Sequence, residues 1–247
     1  MILLILAVII SYIPSLILFF YLRNLRREDP VYHKNCGRLL LNGVLCSVGV
    51  AFLALAVSIA WGVSGIGADM PLLKAAIRTF ILAAGIEEFV KYRVTGKMIK
   101  KNSGSVSWLD CIAYAAIVGI GFQMIETVVY LLESNVGQIL VRGFTMGHPA
   151  YGMLMGYLLG KAAWTGKKSY KIQAFLWPFL IHGMYDFSLA DEFQALNDNL
   201  VFVPFICIAV ELFILIRALA LIKKERNGTK FTEPVAGSGC GKQKETA

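Results

Sequence analysis

Glu87, Glu88, Glu126, His148, His182 and Asp186 can each move a proton or ligate a metal, and each lies in or at the end of a long apolar run. A charged or imidazole side chain near the centre of a bilayer costs at least a few kcal/mol, so it normally faces the protein interior or a water-filled cavity and marks function. The spacing of these residues carries as much information as their types. In Gly85-Ile86-Glu87-Glu88-Phe89-Val90-Lys91, Glu87 stands four and Glu88 three residues before Lys91. Lys91 therefore reaches either carboxylate along one helix face. One ammonium cannot neutralise two carboxylates, and the second acid needs another cation, a proton or water. The plainer reading is an amphipathic helix end whose charges snorkel into the aqueous phase.

Further along the chain, Gly119-Ile120-Gly121-Phe122-Gln123-Met124-Ile125-Glu126 joins a close-packing glycine pair to an acid. Glu126 falls about 10 Å below the outer boundary of its span, too deep for easy snorkelling. In Arg142-Gly143-Phe144-Thr145-Met146-Gly147-His148-Pro149, Arg142 is expected at the interface. Pro149 removes a backbone donor and can open the helix beside His148. Alone, such a histidine is as readily a hydrogen-bonded interior residue as a catalyst. His182-Gly183-Met184-Tyr185-Asp186 sets imidazole and carboxylate at i and i+4. That pair can bind a metal, or Asp186 can orient His182, or the two can form a structural hydrogen bond. Glu211 stands alone within the last apolar run and reads as a supporting residue, lining the cavity or pairing with Lys91 or Arg78.

The elements that must position these groups are transmembrane helices. Of 247 residues, 57% are hydrophobic, and the mean hydropathy is +0.65. The apolar residues gather into runs of about twenty, the length a helix needs to cross a hydrocarbon core of about 30 Å. Seven spans are expected: Ile2 to Leu22, Leu39 to Trp61, Leu72 to Val94, Leu109 to Leu132, Ile139 to Gly160, Ile172 to Leu189, and Leu200 to Ile222. The first has no basic leader or small-residue cleavage site and reads as a retained helix. The expected fold is an all-α bundle in one transmembrane domain over 1–224, with its functional core near 72–190 and a disordered cytoplasmic tail at 225–247.

The formal charge of +8 does not point to nucleic acid, because Lys and Arg cluster in alternate loops and in the tail. By the positive-inside rule, Arg23, Arg26 and Arg27, Lys97 to Lys101, Lys161 to Lys171, and Lys223 to Arg226 lie in the cytoplasm. The N-terminus is then outside and the C-terminus cytoplasmic. If Arg78 marks an outer edge, Glu87 lies about 14 Å inward, and His148 and His182 lie about 15 Å and 14 Å below their own outer ends. The three then share one level, whereas a helix beginning at Pro71 would set Glu87 several Å deeper. Five cysteines form no C-x-x-C pair, so neither a disulfide nor a thiolate metal site is expected.

In order and spacing, Glu87-Glu88-x-x-Lys91, Phe122-x-x-x-Glu126 and His182-x-x-x-Asp186 resemble the three motifs of the PrsW family of intramembrane proteases. Gly119 to Glu126, Arg142 to His148 with Gly152 and Gly156, and His182-Gly-x-x-Asp186-Phe187 look like that family's signature stretches. The resemblance covers residues 80–190. It implies kinship with CAAX-processing proteases and the Aph subunit of γ-secretase, and a bacterial cell-membrane location. It also implies cleavage of a single-pass membrane substrate such as an anti-sigma factor, with Glu87 or Glu88 as base and His148 and His182 near the water.

Peptide hydrolysis needs a base for water, a group for the oxyanion and a donor for the leaving amine. These residues supply each with or without a metal. Clustered carboxylates in a low dielectric favour a Zn²⁺ held among His148, His182, Asp186 and Glu126, although no H-E-x-x-H motif is present. Lys91, Phe122, Arg142 and Glu211 would support the site. A catalytically silent scaffold of the same fold and a proton-coupled transporter are the rival classes. Retention of both Glu87 and Glu88 argues against the first, and the lack of a repeated pair of broken helices against the second.

Overall fold

The computed structural model describes residues 2–64, 70–130 and 136–225, and its regular structure is helical. α1 (Ile2–Arg23) leads through a short 3-10 turn to α2 (Pro30–Ser64). The start of α2 is set locally. Asp29 Oδ1 accepts hydrogen bonds from the Val31 and Tyr32 amides, both at 2.9 Å, and Pro30 takes the first helical position, where its missing N–H costs nothing.

α3 (Pro71–Ala76) again begins on proline and passes directly into a π-helical stretch, Ile77–Gly85, and then α4 (Ile86–Lys101). Nothing in the apolar pattern announces the wider turn. Such turns are rare and occur often near functional sites; this one ends just before Glu87. α5 (Trp108–Val129) starts with a capping box in which the Ser107 hydroxyl accepts from the Asp110 amide and Asp110 accepts from the Ser107 amide.

The expected fifth span is not one helix. α6 (Val136–Thr145) and α7 (Gly147–Thr165) are separated by Met146, whose φ of 55° and ψ of 39° lie in the left-handed region that non-glycine residues seldom enter. The break precedes His148 instead of arising at Pro149. Pro149 sits in the first turn of α7, where amides have no intrahelical acceptor to lose. α7 stops at Gly166, whose φ of 70° ends the helix. α8 (Lys168–Ser188), the short α9 (Asp191–Gln194), a 3-10 turn (Asp198–Phe202) and α10 (Val203–Glu225) complete the described chain. The tail from residue 226 and the loop acids Asp69 and Glu133 lie outside the described residues.

Among the described residues, four helices are long and apolar enough to cross a membrane: Leu3–Arg26, Pro30–Trp61, Trp108–Val129 and Asp198–Lys224. The other expected spans carry the ionisable residues or the break at Met146, which lowers their apolarity or length. The Trp108–Val129 helix has 72% of its apolar window buried, against 33%, 17% and 22% for the others. α5 is therefore the axis of the bundle, and α1, α2 and α10 present Leu3, Phe52 and Phe213 outward.

Small residues bring the neighbours of α5 into backbone contact, as expected where lipid supplies no hydrophobic drive between helices. A Cβ on Gly43 of α2 would stand 2.5 Å from the Val118 carbonyl oxygen, and one on Gly156 of α7 would stand 2.7 Å from Ile112 Cα. Polar latches add specificity. Tyr12 donates to the Met124 carbonyl at 2.7 Å. Arg26 forks onto buried Asp110 at 2.9 and 2.5 Å, tying the turn after α1 to the start of α5. Arg78 meets Glu192 at 3.3 Å.

Gly156→Val is expected to overpack the α5–α7 contact and cost about 1–3 kcal/mol or more. Gly37→Ala, with nothing within 4 Å of the added Cβ, should leave stability unchanged or raise it slightly. Melting temperatures of the two variants in detergent, compared with the parent chain, check this contrast.

Candidate active site

The site is built around the inward face of α4. Glu88, Lys91, Thr95 and Ile99 recur at intervals of three and four and form the buried stripe of that helix. Lys91 is 1% exposed and extends sideways over the Phe122 ring of α5, with Nζ 4.5 Å from the ring centroid. Its Nζ donates to Glu88 Oε1 at 2.8 Å and Glu87 Oε2 at 3.3 Å. It also lies 2.7 Å from His148 Nδ1. An ammonium only donates, so Nδ1 accepts here and the proton of a neutral His148 ring resides on Nε2. Nε2 in turn lies 2.5 Å from Glu126 Oε2. Glu87 Oε2 and His148 Nδ1 are 3.8 Å apart.

His182 on α8 completes the ring of contacts. Its Nδ1 is 3.0 Å from Glu88 Oε1 and its Nε2 is 3.3 Å from Asp186 Oδ2. Gly183 lets the Phe80 ring close over the helix there, since a Cβ at 183 would stand 2.8 Å from Phe80 Cε1. Phe80 comes from the π-helical stretch, so the widened turn and the glycine beside His182 fit one another. Glu88 is wholly buried, and its Oε2 has no hydrogen-bond partner. Glu87, Glu126 and Asp186 keep 17%, 21% and 17% of their side-chain surface. The two neighbouring glutamates are thus unequal: one is sealed in, the other reachable.

Beside these groups lies a cavity with about 20 Å³ open to the centre of a water molecule, bordered by Gln123, Glu126, His148, Tyr151, His182 and Asp186. That suits a water or a small ion. Tyr185 and Glu211 also border it. Glu211 is buried, and its Oε1 accepts a hydrogen bond from the Tyr151 hydroxyl. The break at Met146 starts α7 beside the same carboxylate: a Cβ on Gly147 would stand 3.1 Å from Glu211 Oε2. A helix N-terminus with free amides is a favourable neighbour for negative charge. The side chain of Arg142 lies outside the described residues.

A carboxylate oxygen of Glu87 and one ring nitrogen each from His148 and His182 lie within 4.8 Å of one another. These donors fit a divalent ion such as Zn²⁺. This group includes Glu87, which the expected set did not, while Glu126 and Asp186 contact Nε2 of His148 and of His182, as carboxylates that orient metal-ligating histidines do.

Residues 36–215 match the PrsW family, described as PrsW family intramembrane metalloprotease. The chain belongs to the PrsW family. It is 31% identical to Protease PrsW of Geobacillus kaustophilus over 179 residues, which is 71% of this chain and 75% of the relative. It is 31% identical to Protease PrsW of Oceanobacillus iheyensis over 156 residues, 62% of this chain and 68% of that one. Against Protease PrsW of Bacillus subtilis it is 24% identical over 180 residues, covering 71% and 78%. No solved structure matches it. As a PrsW protein it is an intramembrane protease of a bacterial membrane, with several apolar helices.

Tyr151 is the site residue that motif reading passes over. Its ring stacks on His182 at 5.0 Å and 21° and meets His148 edge-on at 6.1 Å. Its position three residues after His148, on the same helix face, is the signal that could have found it. Gln123, three residues before Glu126, is similar: its Nε2 donates to the Gly143 carbonyl at 3.2 Å and ties α5 to α6.

The inequality of the two glutamates is testable. Glu88→Gln removes the sealed partner of Lys91 and His182, and loss of one member of a buried charge pair costs about 3–5 kcal/mol. Glu87→Gln, at a part-exposed carboxylate, should cost well under half of that. Denaturation of both purified variants measures the gap, and equal losses would contradict the assignment.

Proposed function

We propose that this PrsW protein is a zinc-dependent endopeptidase that cuts a single-pass membrane protein, with Glu87, His148 and His182 holding the ion. The observation that carries the reading is the approach of these three donors within 4.8 Å beside a water-sized cavity. The bound ion would acidify a nearby water and offset the charge that develops on the scissile carbonyl oxygen. The remaining roles fall to side chains. Glu126 borders the cavity and contacts His148, so it is suited to take the proton of the attacking water and return it to the leaving amine. Asp186 holds the His182 ring from the far side. Glu88, sealed between Lys91 and His182, acts as an anchor.

Seven crossing helices in one domain over 1–224, with the N-terminus outside and the C-terminus cytoplasmic, are supported by the alternation of basic loops. In that orientation the site lies in the outer half to middle of the bilayer. The substrate is then cut near its outer juxtamembrane region, as for a membrane-anchored anti-sigma factor.

Purified protein in detergent or vesicles should cleave such a substrate. Glu126→Gln and His182→Ala should each lower turnover by about 10²-fold or more. Metal content measured on the same preparation, before and after chelation, should track activity. Cleavage that persists undiminished in both variants and after complete metal removal would rule out this site.

A further inference from the structure

Lys91 poses a problem that the zinc reading does not answer. Its Nζ is 3.3 Å from Glu87 Oε2 and 2.7 Å from His148 Nδ1, atoms that are themselves 3.8 Å apart. An ion bonded to both at about 2.0–2.2 Å would have to lie close to the line between them. From these three distances, any such position is within about 3.4 Å of the ammonium, where two cations repel strongly in a low dielectric. Nor is the lysine a passer-by. It is 1% exposed, stacked over Phe122, and held at 2.8 Å by Glu88 Oε1, the atom that also contacts His182.

We propose that the Lys91 ammonium and a divalent metal are alternative occupants of one cation position between Glu87 and His148. Lys91 is then a positioning residue that holds the donors together without metal and must withdraw from His148 for the ion to enter. This rests on the reading that Glu87, His148 and His182 bind a metal. It has a consequence opposite to that of an ordinary supporting lysine. Removing the charge frees the position and leaves the two carboxylates without their counter-ion, so the variant should bind metal more tightly than the parent chain.

The test is titration of Zn²⁺, and of Co²⁺ as a spectroscopic probe, into the full-length metal-stripped protein in detergent at one fixed pH. Lys91→Met is expected to bind at least ten-fold more tightly than the parent, with visible Co²⁺ bands characteristic of imidazole and carboxylate ligation. Its melting temperature without metal should fall, and Zn²⁺ should restore it by more than it raises that of the parent. Lys91→Gln, which keeps a polar stem without the charge, serves as second variant if Lys91→Met does not fold. Adding Glu87→Gln or His148→Ala to either background should abolish the gain. Affinity equal to or weaker than the parent's in the folded Lys91 variant overturns the proposal while leaving the metal reading intact. Binding absent in all forms, or unaffected by His148→Ala and His182→Ala, overturns the metal reading and this proposal with it.

Discussion

A lysine ammonium removed from water must be surrounded by acceptors, and the burial of Lys91 organises this protein. Its stem crosses Phe122 of α5, its head touches two carboxylates of its own helix, and the next atom it meets is on α7. Through Glu88 the same contact reaches α8. Four helices are thus registered against one another by a single charge, and a slip of one residue in any of them would strand that charge. Such a demand is stringent in a membrane, where apolar side chains interact with lipid about as well as with one another. The glycines of α2 and α7 provide closeness, but the charged contacts select one relative depth among several that would pack.

Two local irregularities complete the assembly. The π-helical turns at Ile77–Gly85 bring Phe80 onto Gly183, and the left-handed Met146 begins a new helix directly ahead of His148. An unbroken helix at Met146 would satisfy its amides internally and present no N-terminus to the buried acids. Backbone that departs from regular helix at membrane depth is tolerated where it lines a cavity, as here with Gly147 beside Glu211 and Tyr151.

Much of this was legible in the amino-acid sequence for simple reasons. Apolar runs mark helices because lipid offers no other way to satisfy the backbone, and ionisable residues within them stand out because they are costly. Comparable depths for Glu87, His148 and His182 follow from rise per residue only with Arg78 as an outer edge, and the helix in fact begins at Pro71. What pattern reading could not supply depends on side-chain direction. It did not place Glu87 among the metal donors, and it could not tell that Glu126 and Asp186 each contact Nε2 of an imidazole. It offered Glu211 the cavity or a pairing with Lys91 or Arg78; Glu211 borders the cavity, and its bond from Tyr151 had no signal in the pattern. It took Pro149 as the breaker because proline is the visible cause of kinks, while the strained residue is a methionine with no such label. A tyrosine in an apolar run looks like core until its ring is seen lying on a histidine.

The central position of α5 separates two mechanical roles. The helices that meet lipid most, α1, α2 and α10, bury 33%, 17% and 22% of their apolar windows, and α5 buries 72%. A bilayer that thickens or thins acts first on the helices it touches, which tilt or bend at a cost of fractions of a kcal/mol per ångström. α5, gripped through backbone contacts on two sides, feels its protein neighbours more than the membrane. Phe122 and Glu126 ride on that helix, so the chemistry is suspended inside the bundle much as an instrument is mounted inside a sprung frame.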